Sequence, residues 1–140
     1  MKTMLIGKTG SGKTTLKQKI NDEEEKYHKT QMVYYEKNII DTPGEYIENR
    51  GFYKVLNVVS TEAELIIFVQ SALDDETVFP PNFASMFGGK KVIGVITKTD
   101  LTTEFSKAKY FLENAGAKEI YFINKEDSDG IEKLRKIIEE

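Results

Sequence analysis

Short apolar runs alternate along the chain with stretches in which apolar residues recur at helical spacing. Met4–Ile6, Gln31–Tyr35, Ile39–Ile40, Leu65–Val69, Val92–Ile96 and Ile120–Ile123 read as strands. Their near-continuous apolar character predicts strands covered on both faces, as in a parallel sheet. Helices are predicted between most of them, over Thr14–Ile20 and Phe52–Ser60, with a short one over Pro81–Phe87. Glu104–Asn114 carries Phe105, Ala108, Phe111 and Leu112 on one face, and Gly116 is a fitting stop. Gly130–Glu139 likewise places Ile131, Leu134, Ile137 and Ile138 on one face. Strands alternating with helices predict an α/β protein, a three-layer αβα sandwich. The charged run Asp22–Lys26 reads as a solvated loop.

Composition narrows the class. With 140 residues, 31% charged and 39% hydrophobic, the expected organisation is one domain over residues 1–140. The absence of cysteine excludes a disulfide scaffold, a thiolate zinc site and a cysteine nucleophile, and one histidine excludes a histidine-rich metal centre. A net charge of −3 argues against general nucleic-acid binding. The longest apolar runs fall far short of the roughly 18–20 residues of a membrane span. The N-terminal run turns to Gly7 before a signal-peptide core can form. The expected protein is reduced, soluble and cytoplasmic, with no nucleic-acid or membrane partner. Its basic residues are 18 lysines and only two arginines, Arg50 and Arg135.

Gly7-Lys8-Thr9-Gly10-Ser11-Gly12-Lys13-Thr14 matches G-x-x-x-x-G-K-[ST], after an apolar strand and before a helix. Glycines let such a loop curl so that successive amides point at phosphate oxygens, and the following helix adds its N-terminal partial charge. Gly7, Lys8, Thr9, Gly10, Ser11, Gly12, Lys13, Thr14 and Thr15 are therefore the expected nucleotide contacts. Lys13 is placed to reach the β- and γ-phosphates, and the Thr14 hydroxyl to ligate Mg²⁺.

Asp41-Thr42-Pro43-Gly44 reads D-x-x-G at a strand end. Asp41 is placed to hold a Mg²⁺-bound water, and the Gly44 amide to contact a γ-phosphate. Thr30, just before the Gln31–Tyr35 run, is the candidate to close over Mg²⁺ and the γ-phosphate; His28 reads as a surface residue. Thr97-Lys98-Thr99-Asp100 follows a buried strand as T-K-x-D. A carboxylate at Asp100 can accept from guanine N1–H and its 2-amino group, whereas adenine would leave it unpaired. Lys98 is expected to lie along the base and brace the phosphate loop. A further base contact is expected from Asn124-Lys125.

These motifs occur in the order found in small GTP-binding proteins of the P-loop class. More narrowly, the chain resembles the EutP/PduV family of ethanolamine and propanediol utilisation. The I-G-K-T-G-S-G-K-T-T-L opening, the K-T-Q stretch at Lys29–Gln31, D-T-P-G-E-Y and T-K-x-D carry the likeness, over about residues 2–138. The resemblance implies a small-GTPase-like fold with a mixed, mostly parallel six-stranded sheet. It implies Mg²⁺ with GTP or GDP, and a bacterial protein linked to the protein-shelled microcompartment; a shell or filament-like protein is the expected partner of the switch surface. It also carries an ATP/ADP reading, including an acetate kinase activity. Two positions depart from common GTP-binding patterns. Thr97 replaces an asparagine whose amide braces the site, and Asn124-Lys125 replaces a Ser-Ala pair.

Glu45 stands where many regulatory GTPases carry a water-orienting glutamine. A carboxylate only accepts and adds negative charge beside an anion, which predicts slow hydrolysis. Two readings stay open for Glu45, a solvent-facing switch residue or a base on water or a substrate; with Lys13 and Thr30 it makes up the catalytic candidates. Arg50 is a weak candidate for an arginine finger, and Arg135 is expected on the surface. Gly51-Phe52-Tyr53 reads either as a partner surface or as aromatics packed beneath the switch. Asp74-Asp75-Glu76 reads as a solvated connector.

Overall fold

The computed structural model describes residues 1–21, 32–124, 126 and 128–139. Six strands form one sheet: β1 (Thr3–Ile6), β2 (Tyr34–Glu36), β3 (Ile39–Asp41), β4 (Leu65–Ser71), β5 (Lys91–Thr97) and β6 (Ile120–Phe122). Their spatial order is β2-β3-β1-β4-β5-β6. All pairings are parallel except β2 with β3, which is antiparallel. The helices are α1 (Lys13–Ile20), α2 (Glu45–Glu48), α3 (Tyr53–Ser60), α4 (Ser106–Asn114) and α5 (Ser128–Glu139), with 3-10 turns at Arg50–Phe52 and Phe83–Phe87.

Alternation along the buried strands divides the core into two layers. Met4 and Ile6 of β1 join Ile66 and Phe68 of β4 against Leu56 of α3, Ala108 and Leu112 of α4, and the rings of Phe79, Phe83 and Phe87. Leu5, Ile67 and Val69 point the other way, onto Leu16 and Ile20 of α1 and Ile131, Leu134 and Ile138 of α5. Every residue of β1 and β4 is buried, as strands covered on both faces must be.

The predicted elements are present, with boundaries moved for local reasons. The run expected over Gln31–Tyr35 is a strand only from Tyr34, because its partner β3 offers three residues, Tyr34 facing Asp41 and Glu36 facing Ile39. Gln31 lies outside the described residues, as do Asp22–Lys26, His28 and Thr30. Pro81–Phe87 forms only a 3-10 turn, since Asn82 is left-handed at φ 58° and Gly88 ends the turn at φ 61°. α4 starts at Ser106 rather than Glu104. Phe105 is the N-cap, and the Glu104 carboxylate before it accepts from the first helical amide, that of Ser106, at 2.7 Å. α2 carries too short an apolar pattern to be read from sequence.

Asp74 and Arg135 depart from their surface readings. Asp74 is no mere connector, because its carboxylate pairs with Lys8 of the phosphate loop at 3.2 Å. Arg135 reaches from α5 to the end of α1, its Nε donating to the Ile20 carbonyl at 3.1 Å and a second nitrogen to the Lys19 carbonyl at 2.5 Å. A cation there satisfies orphan carbonyls and the negative end of the helix dipole.

Candidate functional site

In open parallel sheets the crevice at the carboxyl ends of the strands is the natural place for a ligand. Here that end collects every described motif. The phosphate loop leaves β1, Asp41–Gly44 leaves β3, Thr97–Asp100 leaves β5 and Asn124 follows β6. Leu5 of β1 lies in register with Asp41 of β3, which sets the loop beside the aspartate. The Thr42 hydroxyl pins that segment by donating to the Leu5 carbonyl at 2.8 Å.

The loop has the backbone its glycines allow. Gly10 and Gly12 sit at φ 83° and 93°, and a Cβ on Gly12 would meet the Thr97 side chain at 3.2 Å. α1 begins at Lys13 with no side-chain cap, so its first amides face the loop. Ser11 turns inward and is 1% exposed, leaving its backbone as its contribution. Lys8 and Thr9 lie on the loop's outer side, with Lys8 paired to Asp74.

The Lys13 ammonium is 3.0 Å from Asp41 Oδ1, in a pair whose members are only 5% and 1% exposed. Asp41 and the buried Thr14 supply two oxygen donors of the hard kind that suits Mg²⁺. Among the described residues no group of three or more histidine or carboxylate side chains could hold a metal alone. This donor set fits an ion that shares its coordination with phosphate oxygens. The third expected ligand, Thr30, lies outside the described residues.

The D-x-x-G turn rests directly on the loop. A Cβ on Gly44 would fall 2.2 Å from the Thr9 amide nitrogen, so only glycine permits this approach. Glu45, the first residue of α2, is exposed. Glu48, at the end of α2, accepts from the Thr9 amide at 3.3 Å and from its hydroxyl at 3.2 Å. No motif signals Glu48, because nothing in its spacing distinguishes it from a solvated acid. Phe52 stacks on Tyr46 at 4.8 Å and Tyr53 packs on Phe83 at 5.1 Å, so both aromatics of Gly51-Phe52-Tyr53 are packed within the chain.

On the other side of the loop is a cleft of about 250 Å³. Gly12, Thr15, Thr97, Lys98, Asp100 and Asn124 form its polar lining, with Lys19 at its side. Leu16, Leu101, Ile123 and Ile131 supply apolar walls of the kind a planar base requires. Sequence reading places Leu16 and Ile131 in helices and Ile123 at a strand end, leaves Leu101 unassigned, and does not bring the four together. Lys98, left-handed at φ 61°, donates from Nζ to the Gly10 carbonyl at 2.7 Å. The Thr97 hydroxyl donates to the Ser11 carbonyl at 2.5 Å. Replacing asparagine by threonine therefore does not remove the brace; a hydroxyl supplies it. Asn124 lines the cleft, and its Oδ1 accepts from the Glu126 amide at 2.8 Å. Lys125 lies outside the described residues.

The sheet and its phosphate loop define a small-GTPase-like α/β domain. Over residues 1–140 the chain matches the family model described as ethanolamine utilisation – propanediol utilisation, and it belongs to that family. It is 36% identical over 133 residues to the propanediol utilization protein PduV of Citrobacter freundii, covering 94% of this chain and 88% of that one. It is 31% identical over 132 residues to a protein of Escherichia coli (strain K12) named "Probable acetate kinase EutP", covering 92% and 83%. Among solved structures, the Methanosarcina barkeri Roco2 RocCORdC bound to GDP superposes with a TM-score of 0.64 at 21% identity. That match covers 98% of this chain and spans 47% of the other, and it shows the fold. No helix among the described residues is long and apolar enough to cross a membrane.

Proposed function

We propose that residues 1–140 act as one cytoplasmic domain that binds GTP and GDP with Mg²⁺ and hydrolyses GTP slowly. In this reading it serves as a switch or assembly factor for the microcompartment of ethanolamine or propanediol breakdown. The observation that carries it is the convergence of Gly12, Thr15, Thr97, Lys98 and Asp100 on one cleft beside the loop. The family and the GDP-bound Roco2 neighbour support it.

The amides of Gly7 through Thr15 hold the phosphates, and Lys13 exchanges Asp41 for the β- and γ-phosphates. Thr14, Thr30 and Asp41 hold Mg²⁺, which when bound neutralises phosphate charge and orients the terminal groups. The Gly44 amide meets the γ-phosphate, Asp100 reads guanine, and Asn124 and Lys125 complete the base contacts. Water attacks the γ-phosphorus, the bond to the β–γ bridging oxygen breaks, and GDP and inorganic phosphate leave.

Two features favour slow hydrolysis over transfer to a carboxylate acceptor such as acetate, the activity in the name of the Escherichia coli relative. Bidentate binding of acetate and acyl phosphate calls for arginine. The chain has two, and neither faces the cleft: Arg50 is exposed after α2, and Arg135 is committed to the far end of α1. Glu45 is exposed, which favours its solvent-facing reading. The test is single-turnover phosphate release from Mg²⁺–GTP. The expected rate is about 10⁻⁴ to 10⁻² per second, abolished in Lys13→Ala and unchanged in Glu45→Gln. Acetyl phosphate formed from ATP and acetate at about 1 per second or faster would replace this reading with the kinase.

A further inference from the structure

We propose that Glu48 discriminates the terminal phosphate, holding the site in favour of the nucleoside diphosphate until its carboxylate leaves Thr9. The inference rests on the nucleotide reading above and deepens it. Three contacts place the switch segment on the loop. Asp41 engages Lys13 at 3.0 Å, the Gly44 backbone abuts Thr9, and the Glu48 carboxylate takes both donors of Thr9, the amide and the hydroxyl. The amide is one of the donors the loop offers to an anion. The Gly44 amide, the expected partner of a γ-phosphate, lies against the same Thr9.

A γ-phosphate brought to Gly44 and Lys13 therefore arrives beside an ionised carboxylate that already occupies part of its donor set. Like charges a few ångströms apart repel, modestly where, as here, both groups are exposed and screened by solvent. A diphosphate ends one phosphate earlier. Thr9 lies on the exposed side of the loop, whereas Ser11, Lys13 and Thr14 are buried beneath it, so the deeper donors stay clear of Glu48. Glu48 itself is exposed at the end of a four-residue helix, so withdrawing it requires no core rearrangement. Triphosphate binding and withdrawal of the Glu48 side chain from Thr9 are thereby coupled, each favouring the other by the same factor.

The test is calorimetry on nucleotide-stripped, full-length protein with Mg²⁺, comparing GDP with a non-hydrolysable GTP analogue in wild type, Glu48→Gln and Glu48→Ala. Both variants are expected to bind the analogue about tenfold more tightly, a modest like-charge effect, with GDP affinity held within about twofold. The wild-type preference for GDP should shrink as salt rises, and that dependence should be weaker in Glu48→Gln, which no merely structural role would produce. An unchanged ratio of analogue to GDP affinity in both variants would overturn the role of Glu48 and leave the nucleotide reading standing. Wild type that binds neither guanine nor adenine nucleotides would overturn both.

Discussion

At the scale of single residues, the decisive contacts tie the end of β5 to the phosphate loop. The Thr97 hydroxyl on Ser11 and the Lys98 ammonium on Gly10 make loop and cleft one mechanical unit. Thr97→Val keeps the shape packed against Gly12 but deletes the donor, leaving a buried carbonyl without it. We expect a stability loss of about 1 kcal/mol in urea unfolding and nucleotide affinity lower by about tenfold. Thr97→Ser should restore most of the affinity. The buried Lys13–Asp41 pair predicts a larger effect on the protein alone. Lys13→Met leaves Asp41 buried without its ammonium and should cost about 3 kcal/mol in the same measurement.

At the scale of elements, two helix ends carry distinct predictions. Arg135 closes α1 at the end away from the loop. Arg135→Ala should cost about 1–2 kcal/mol in stability while leaving nucleotide affinity unchanged, with Arg135→Lys partly restoring it. The Glu104 carboxylate is held below the usual carboxylate range, chiefly by hydrogen bonds from the Ser106 hydroxyl and amide. A depressed carboxyl pKa stabilises the fold above the unfolded value and loses that contribution as pH falls through the folded one. The amides at the start of α4 should therefore gain hydrogen-exchange rate, relative to the intrinsic rate, on acidification through that window, and Glu104→Gln should remove the effect.

These helix ends also show where sequence reading stops. The spacing of Ile131, Leu134 and Ile138 was enough to place α5, because a buried stripe has a period. Nothing periodic announces that Arg135, on the same helix, folds back onto α1. Likewise the charge run Asp74–Glu76 reads as solvated until Lys8 is seen beside it, since an ion pair between distant segments leaves no local signal.

At the scale of the whole molecule, the fold explains why motifs far apart in sequence meet. β1 lies at the centre of the sheet, between β3 and β4, and the carboxyl ends of β1, β3, β5 and β6 all open on one edge. The phosphate loop, D-x-x-G and T-K-x-D were legible because each fixes backbone chemistry over a few consecutive residues. The cleft walls Leu16, Leu101, Ile123 and Ile131, and the Glu48 contact with Thr9, were not legible. They depend on how segments are juxtaposed, and an apolar residue at a helix face reads the same whether it meets the core or a ligand. Belonging to the ethanolamine and propanediol utilisation family gives the setting. On the proposed reading, the base that pairs with Asp100 decides which chemistry the cleft serves.

That choice is tested most directly by the Mg²⁺-dependent affinities of nucleotide-stripped protein for GDP and ADP, measured side by side. A carboxylate that pairs with guanine and is stranded by adenine should make GDP tighter by about a hundredfold or more. Asp100→Ala should bring the two close to equality. ADP binding as tightly as GDP, or more tightly, in the wild-type protein would contradict the guanine reading of the site.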